Sequence, residues 1–358
     1  MTPQTVDPHR AEQFAERVLG IINDAMLTLM ISVGHRVRLF DRMAELRPST
    51  SSAIAAAAGL NERYVREWLG AMVVGGIVEY QPDSRTYALP AEHAAALTRA
   101  AGTDNIAVQA QYVPLLAGVE KQIVACFENG GGVPYSEFGD FQTLMAEESA
   151  QVLDAALLES ILPLIDGMIG RLESGIDVAD VGCGSGHAIN LMAERFRGSR
   201  FVGYDFSEEG IAAARAESAS LGNTNAEFQV IDAAHLGGPP RFDFITTFDA
   251  IHDQAHPDRV LAAIAAMLRP GGTYLCVDIG ASSRLEENTN HPLGPLLYTV
   301  SCMHCMTVSL AYGGIGLGTV WGEQKAIEMI RAAGFDDPTV KRVEGDVLNN
   351  YYIATKST

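Results

Sequence analysis

The chain is expected to be an α/β protein: a doubly wound, Rossmann-like sheet of seven mostly parallel strands, preceded by an α-helical winged-helix domain. Three features predict this. After Ser174, short apolar runs alternate with alanine-rich helical stretches, the pattern of parallel strands joined by crossovers. The first of those runs ends in the glycine-rich turn Asp180-Val181-Gly182-Cys183-Gly184-Ser185-Gly186. The segment ahead of Pro90 spells helix, helix, helix, hairpin.

The elements follow in order. Ala11 to Leu46 carries apolar residues at helical spacing, among them Phe14, Val18, Ile21, Ile22 and Leu29, with no proline to interrupt them, so one or two long helices are expected. Their apolar surface is wide for a domain edge and predicts packing against a second subunit, a homodimer joined through the N-terminal helices. A short helix over residues 51–58 has serine at its cap and Gly59 at its stop, and Asn61 caps the next helix. Ile77 to Tyr80 and Thr86 to Leu89 form a hairpin around Pro82-Asp83-Ser84-Arg85.

Winged helices commonly read DNA, yet Arg42 to Leu89 holds five Arg against five Asp or Glu and no Lys. A nucleic-acid reader shows a basic face. Dimerisation or substrate covering is the better role, with a ligand-sensing transcription regulator as the alternative from another class. Glu92 to Gly170 is helical apart from the turn Gly130 to Tyr135.

Strands are then expected at Asp177 to Val181, Arg200 to Tyr204, Glu227 to Ile231, Phe242 to Phe248 and Thr273 to Ile279, with a last pair at Asp337 to Val343 and Tyr351 to Ala354 forming an antiparallel edge. The stretch between Gly280 and Trp321 is too long for a plain loop and predicts a partly helical lid over about 280–321. The domains are placed at 1–150 and 151–358.

With 358 residues, 47% hydrophobic and 19% charged, the chain can bury a large core. The 44 acidic against 25 basic side chains, a formal charge of -19, repel phosphate backbones and anionic lipid. A small-molecule substrate is expected, with neither nucleic acid nor membrane as partner. The five cysteines fit reduced thiols. Met1 to Asp7 shows neither a basic start nor an apolar stretch, and no run of about 18 uncharged apolar residues occurs. A cytoplasmic protein is expected.

Alternating glycines after a strand let the backbone bend sharply and approach a nucleoside, while the following helix presents amide donors. Asp205 stands 23 residues beyond Gly182, at the end of the second strand, where a carboxylate can accept both ribose hydroxyls. In G-x-G-x-x-G counted from Gly182, the last position is His187, which counts against NAD or FAD because a pyrophosphate site needs a residue with little side chain there. No Gly-Lys-Ser/Thr ending follows, which removes a P-loop.

Over about Asp177 to Thr355 the sequence resembles the class I S-adenosylmethionine-dependent methyltransferases. That resemblance implies S-adenosyl-L-methionine as cofactor, S-adenosyl-L-homocysteine as product, and donor contacts from Asp180, Gly182, Cys183, Gly184, Gly186, Asp205 and Phe206. It implies that Asp232, with Ala233, meets the adenine amino group and that Phe248 and Asp249 line the methionine end. Leu268 to Gly272 matches the turn before the fifth strand. Gly131 to Tyr135, Ala250 to Gln254 and Met303 to Ser309 resemble a bacterial and mycobacterial-type subgroup of small-molecule methyltransferases, which extends the match over nearly the full chain.

Transfer from a sulfonium needs the acceptor atom held ~3 Å from the methyl carbon. Where the acceptor must lose a proton, an imidazole suits the task. His252, at the end of the fourth strand, is the first candidate base and His304, in the lid, the second; orienting a loop is the plain alternative for each. Tyr135, Phe138, Asp253, Cys302 and Trp321 are expected to line the acceptor side. Cys302, His304 and Cys305 are zinc-ligand types, but a closed site wants four ligands and no second cluster supplies the rest, so no metal is expected. Elimination or cyclisation in the same pocket is the remaining enzymatic alternative.

Overall fold

A computed structural model describes residues 6–357, and the opening stretch Met1 to Thr5, part of the basis for expecting no leader, lies outside the described residues. The chain divides into two units that part between Leu115 and Leu116.

In the first unit, Asp7 caps the helix Pro8–Arg36 by accepting from the amides of His9 and Arg10. The helix stops before Arg38, whose left-handed backbone turns the chain into the helix Leu39–Ala44. Serine was expected to cap the next helix, Ser51–Ala58. Thr50 does so instead, its Oγ1 accepting from the Ala53 amide, while the Ser51 hydroxyl donates to Glu62 Oε1. Asn61 caps the helix Glu62–Val74 as expected. β1 (Glu79–Gln81) and β2 (Thr86–Ala88) pair antiparallel. Leu39, Phe40, Trp68, Leu69 and Met72 form the core of this winged-helix domain.

The outer face of Pro8–Arg36 is uncovered: Phe14, Leu19, Ile21, Ile22 and Met26 are all more than half exposed. By length and composition this helix could cross a membrane, with mean hydropathy 1.5 over its most apolar window. It also carries Glu12, Glu16, Arg17 and Asp24.

The second unit begins earlier than the boundary near 150 expected from the sequence, because the connecting helices share its core. Leu153, Leu157, Ile161, Leu162 and Met168 bury in one cluster with Val178 and Phe244 of the sheet. The strands are β3 (Asp177–Val181), β4 (Arg200–Asp205), β5 (Ala226–Val230), β6 (Phe242–Phe248), β7 (Leu268–Ile279), β8 (Thr339–Lys341) and β9 (Asn349–Thr355). They lie in the order β5-β4-β3-β6-β7-β9-β8. Pairings from β5 through β7 are parallel, and β9 runs antiparallel to both β7 and β8.

The predicted turn Leu268 to Gly272 is absorbed into β7: Leu268 pairs with Phe242 across a register shift, and regular pairing resumes at Thr273. Strand order reverses between β3 and β6, so the loops leaving those two strands diverge and open a cleft at the carboxyl edge of the sheet.

Candidate active site

The donor side of the cleft is built by backbone geometry. Gly182, Gly184 and Gly186 all have positive φ, a conformation that side chains strain. Asp205, at the end of β4, braces the loop: its carboxylate accepts from the amides of Gly184 and Ser207, both at 2.8 Å. Cys183 packs against Gly203 beneath the loop, and Phe206 stands half-exposed beside it. Asp232 is exposed and caps the following turn, accepting from the Ala234 amide, with Ala233 buried behind it.

Five aspartates face this region, and sequence reasoning singled out four of them. Asp180 is buried and accepts from Thr246 Oγ1 at 2.7 Å; its burial pushes the carboxyl up to about 7, that hydrogen bond pulling down and the Asp205 charge pushing up. Asp249 has solvent access yet is crowded by protein. Desolvation, followed by the Asp278 charge, pushes it up to about 8. It also sits at a φ of 49°, an unusual backbone for a residue other than glycine. Burial raises Asp205 and Asp253 as well.

Asp278 is the fifth, and it was not foreseen. Its Oδ1 is held by His252 Nδ1 at 2.8 Å, Trp321 Nε1 at 3.0 Å and the Ile279 amide at 2.8 Å, whereas its Oδ2 is buried without a hydrogen-bond partner. A lone carboxylate at the end of the apolar run Tyr274 to Val277 was the signal that could have found it. Trp321 therefore stands behind this dyad, 4% exposed, as a brace for the carboxylate.

His252 is buried against Asp278. Desolvation alone would lower its imidazole, but the Asp278 charge outweighs that and holds it well above the ordinary histidine range. His304 is the opposite case. Burial, followed by the His252 charge, pulls it down to about 3, so it stays neutral. A neutral His304 at physiological pH has little driving force to take a proton.

The π-helical turn Ser301–Cys305 buries His304 and Cys305 and leaves Cys302 partly exposed. The His304 ring stacks on Phe141 at 3.9 Å and 14°, with Phe138 and Tyr135 edge-on. The Tyr135 hydroxyl donates to Asp253, and its ring lies 5.0 Å from that of Phe206. Phe141 was not anticipated. The turn bearing Tyr135 is fixed by Gly132, whose hydrogen faces the Thr307 carbonyl so closely that a Cβ would lie 1.9 Å from the oxygen.

One ligand atom each from Asp249, His252 and Asp278 lie within 4.8 Å of one another, a grouping that could hold a metal ion. Cys302, His304 and Cys305 do not make one: Cys305 Sγ accepts from Thr319 Oγ1 and His304 Nε2 has no partner.

A doubly wound sheet with this strand order, a glycine turn after its first strand and a carboxylate after its second define a nucleoside-binding domain of the methyltransferase type. Comparison with known proteins gives the family of each part. Residues 172–334 match the family described as "Methyltransferase domain", and residues 25–99 match the "Rv2258c-like winged HTH domain". The chain thus carries a methyltransferase domain and, on its N-terminal side, an Rv2258c-like winged helix.

Among similar proteins are a ubiquinone biosynthesis O-methyltransferase of Leptothrix cholodnii, 31% identical over 32% of this chain and 50% of that one, and a fatty-acid O-methyltransferase of Mycolicibacterium smegmatis, 33% identical over 29% and 37%. The chain spans about half the length of the curated relatives it matches. Human N-acetylserotonin methyltransferase in complex with SAM has the same fold, with TM-score 0.69, 18% identity and full coverage of both chains. So does the mitomycin 7-O-methyltransferase MmcR, with TM-score 0.71, 17% identity and coverage of 98% and 100%.

Proposed function

We propose that the protein is an S-adenosylmethionine-dependent methyltransferase acting on a hydroxyl, thiol or amine of a small, largely apolar acceptor. One observation carries this: Asp180, Asp205, Asp249 and Asp253 crowd the cleft, and burial raises every one of them. These carboxyl groups outnumber the His252 imidazolium beside them, so the site favours added positive charge. A sulfonium donor with its ammonium group supplies it, whereas the pyrophosphate of a dinucleotide adds repulsion.

The residues fit that donor. Asp205 would accept from the ribose hydroxyls, Asp232 from the adenine amino group, and Phe248 and Asp249 would line the methionine end beside Gly182 to Gly186. When bound, the donor supplies an electrophilic methyl carbon and a neutral thioether leaving group. The chain's own part is to position the acceptor, exclude water and remove a proton. Tyr135, Phe138, Phe141 and His304 form the aromatic wall on the acceptor side. His252, oriented by Asp278, is the base.

Calorimetry tests the donor. S-adenosylmethionine and S-adenosylhomocysteine should both bind, and tighter as pH rises, because Asp180 near 7 and Asp249 near 8 must lose their protons to face a cation. Binding of a nicotinamide dinucleotide with no heat from either adenosyl compound would overturn the assignment.

The uncovered face of Pro8–Arg36 fits a second copy of this chain. Phe14, Ile21, Ile22 and Met26 give an apolar stripe, while the mixed charges along the helix suit an antiparallel self-pairing better than lipid. Light scattering should report a dimer, and Ile22→Asp a monomer. A wild-type monomer that floats with anionic vesicles would refute the pairing.

A further inference from the structure

The residue that counted against a dinucleotide, His187, has a position no part of the mechanism uses. It opens the helix His187–Arg195 directly after Gly186. Its ring joins two other helices: Nδ1 lies 2.6 Å from Glu217 Oε1 on Glu208–Ser220, and Nε2 lies 2.9 Å from Asp154 Oδ1 on Phe141–Ala156. Both nitrogens face carboxylates, so both act as donors only when the ring is an imidazolium. Asn190 Nδ2 takes the second oxygen of Glu217 at 2.7 Å and fixes its orientation. Gly186 itself has no room for a side chain, since a Cβ there would lie 2.5 Å from Phe228 and 2.6 Å from Ala214. The far end of the helix that carries Asp154 begins at Phe141, the residue stacked on His304.

We propose that His187 is a positioning residue: as an imidazolium it latches the helix Phe141–Ala156 to the exit of the glycine turn, so that the aromatic wall and the donor loop are set together. This rests on the donor assignment made above, but the latch also has a signature that needs no donor. Burial opposes the charged ring, and the hydrogen bonds it donates to Glu217 and then Asp154 overcome it, so the imidazole is raised above the ordinary histidine value. A raised group contributes fully on the acid side and its contribution fades as pH climbs through the raised value. Asp154 and Glu217 are the charged groups facing the ring from the neighbouring helices. The cleft carboxylates act with the opposite sign, binding a cation better as pH rises, so the two contributions are separable.

The test compares wild type with His187→Ala and Asp154→Asn by amide hydrogen exchange over residues 141–156 from pH 6 to 9, and by calorimetric titration with S-adenosylhomocysteine. Wild type should protect the helix best at low pH, and His187→Ala should lose about fivefold or more in donor affinity at pH 6 and little at pH 9. Asp154→Asn, a largely exposed change that spares the core, should move the midpoint of protection to lower pH because the ring loses one stabilising charge. Equal protection in all three proteins at every pH, or a midpoint unmoved by Asp154→Asn, overturns the latch. If protection follows the expected course while neither adenosyl compound binds any variant, the donor assignment fails and the latch stands.

Discussion

Gly184→Val is expected to weaken donor binding by more than about 10²-fold while leaving the domain folded. Gly184 has a φ of 53°, and nothing lies within 4 Å of the Cβ it lacks. An added Cβ therefore meets no protein and projects into the open side of the turn, where the donor is proposed to sit. The left-handed backbone makes a β-branched residue strained by roughly 1–2 kcal/mol, a loss of roughly 2–8 °C in Tm for a domain of this size. Gly186 differs in kind. Its φ is 71°, and its missing Cβ would strike Phe228 and Ala214, so Gly186→Val should cost folding itself. Thermal unfolding beside titration with S-adenosylhomocysteine separates the two effects. Donor affinity in Gly184→Val within a few-fold of wild type would show that the turn does not hold the donor.

That contrast also marks how far the sequence could be read. Three glycines at alternate positions announce a sharp turn at a ligand site, since the local backbone alone demands them. Which glycine guards the fold and which guards the ligand depends on Phe228 and Ala214, 42 and 28 residues downstream of Gly186, and no local pattern reports it. Strands β3 and β6 fall at the predicted residues because both are short, largely buried stretches in which Val, Ala, Ile and Phe predominate over a few polar side chains, bounded by turns. Thr50 and Ser51 are both good caps, so the one-residue error there was a choice between near equals. The domain boundary moved because helical periodicity shows that a segment is helical without showing which core it joins. The Asp278 contact to His252, the stacking of Phe141 on His304 and the double contact of His187 all join distant segments. Residue type suggested that His252 and His304 were worth attention. Only the three-dimensional neighbours separate them, giving one a carboxylate and the other an aromatic wall.

His252→Ala is expected to slow turnover ~10² to 10⁴-fold with donor affinity little changed, the signature of a lost general base. The argument turns on Asp278, 2.8 Å from His252 Nδ1 and itself anchored by Trp321 and the Ile279 amide. That anchoring fixes the ring and, through the carboxylate charge, raises its proton affinity against the pull of burial. A base works only when deprotonated, so kcat should climb with pH through a midpoint above the ordinary histidine value of 6.5. Asp278→Asn keeps an oxygen for Trp321 and the Ile279 amide but removes the charge. It should shift the kcat midpoint to lower pH and reduce the plateau less than His252→Ala does, because the ring survives with weaker basicity. His252 also has a purely structural tie, its carbonyl accepting from the Gly318 amide at 3.0 Å, and that backbone contact is untouched by either substitution. If His252→Ala turns over at wild-type speed, the side chain takes no part in the chemistry. If His252→Ala is slow but the Asp278→Asn profile keeps the wild-type midpoint, His252 acts without the carboxylate setting its proton affinity.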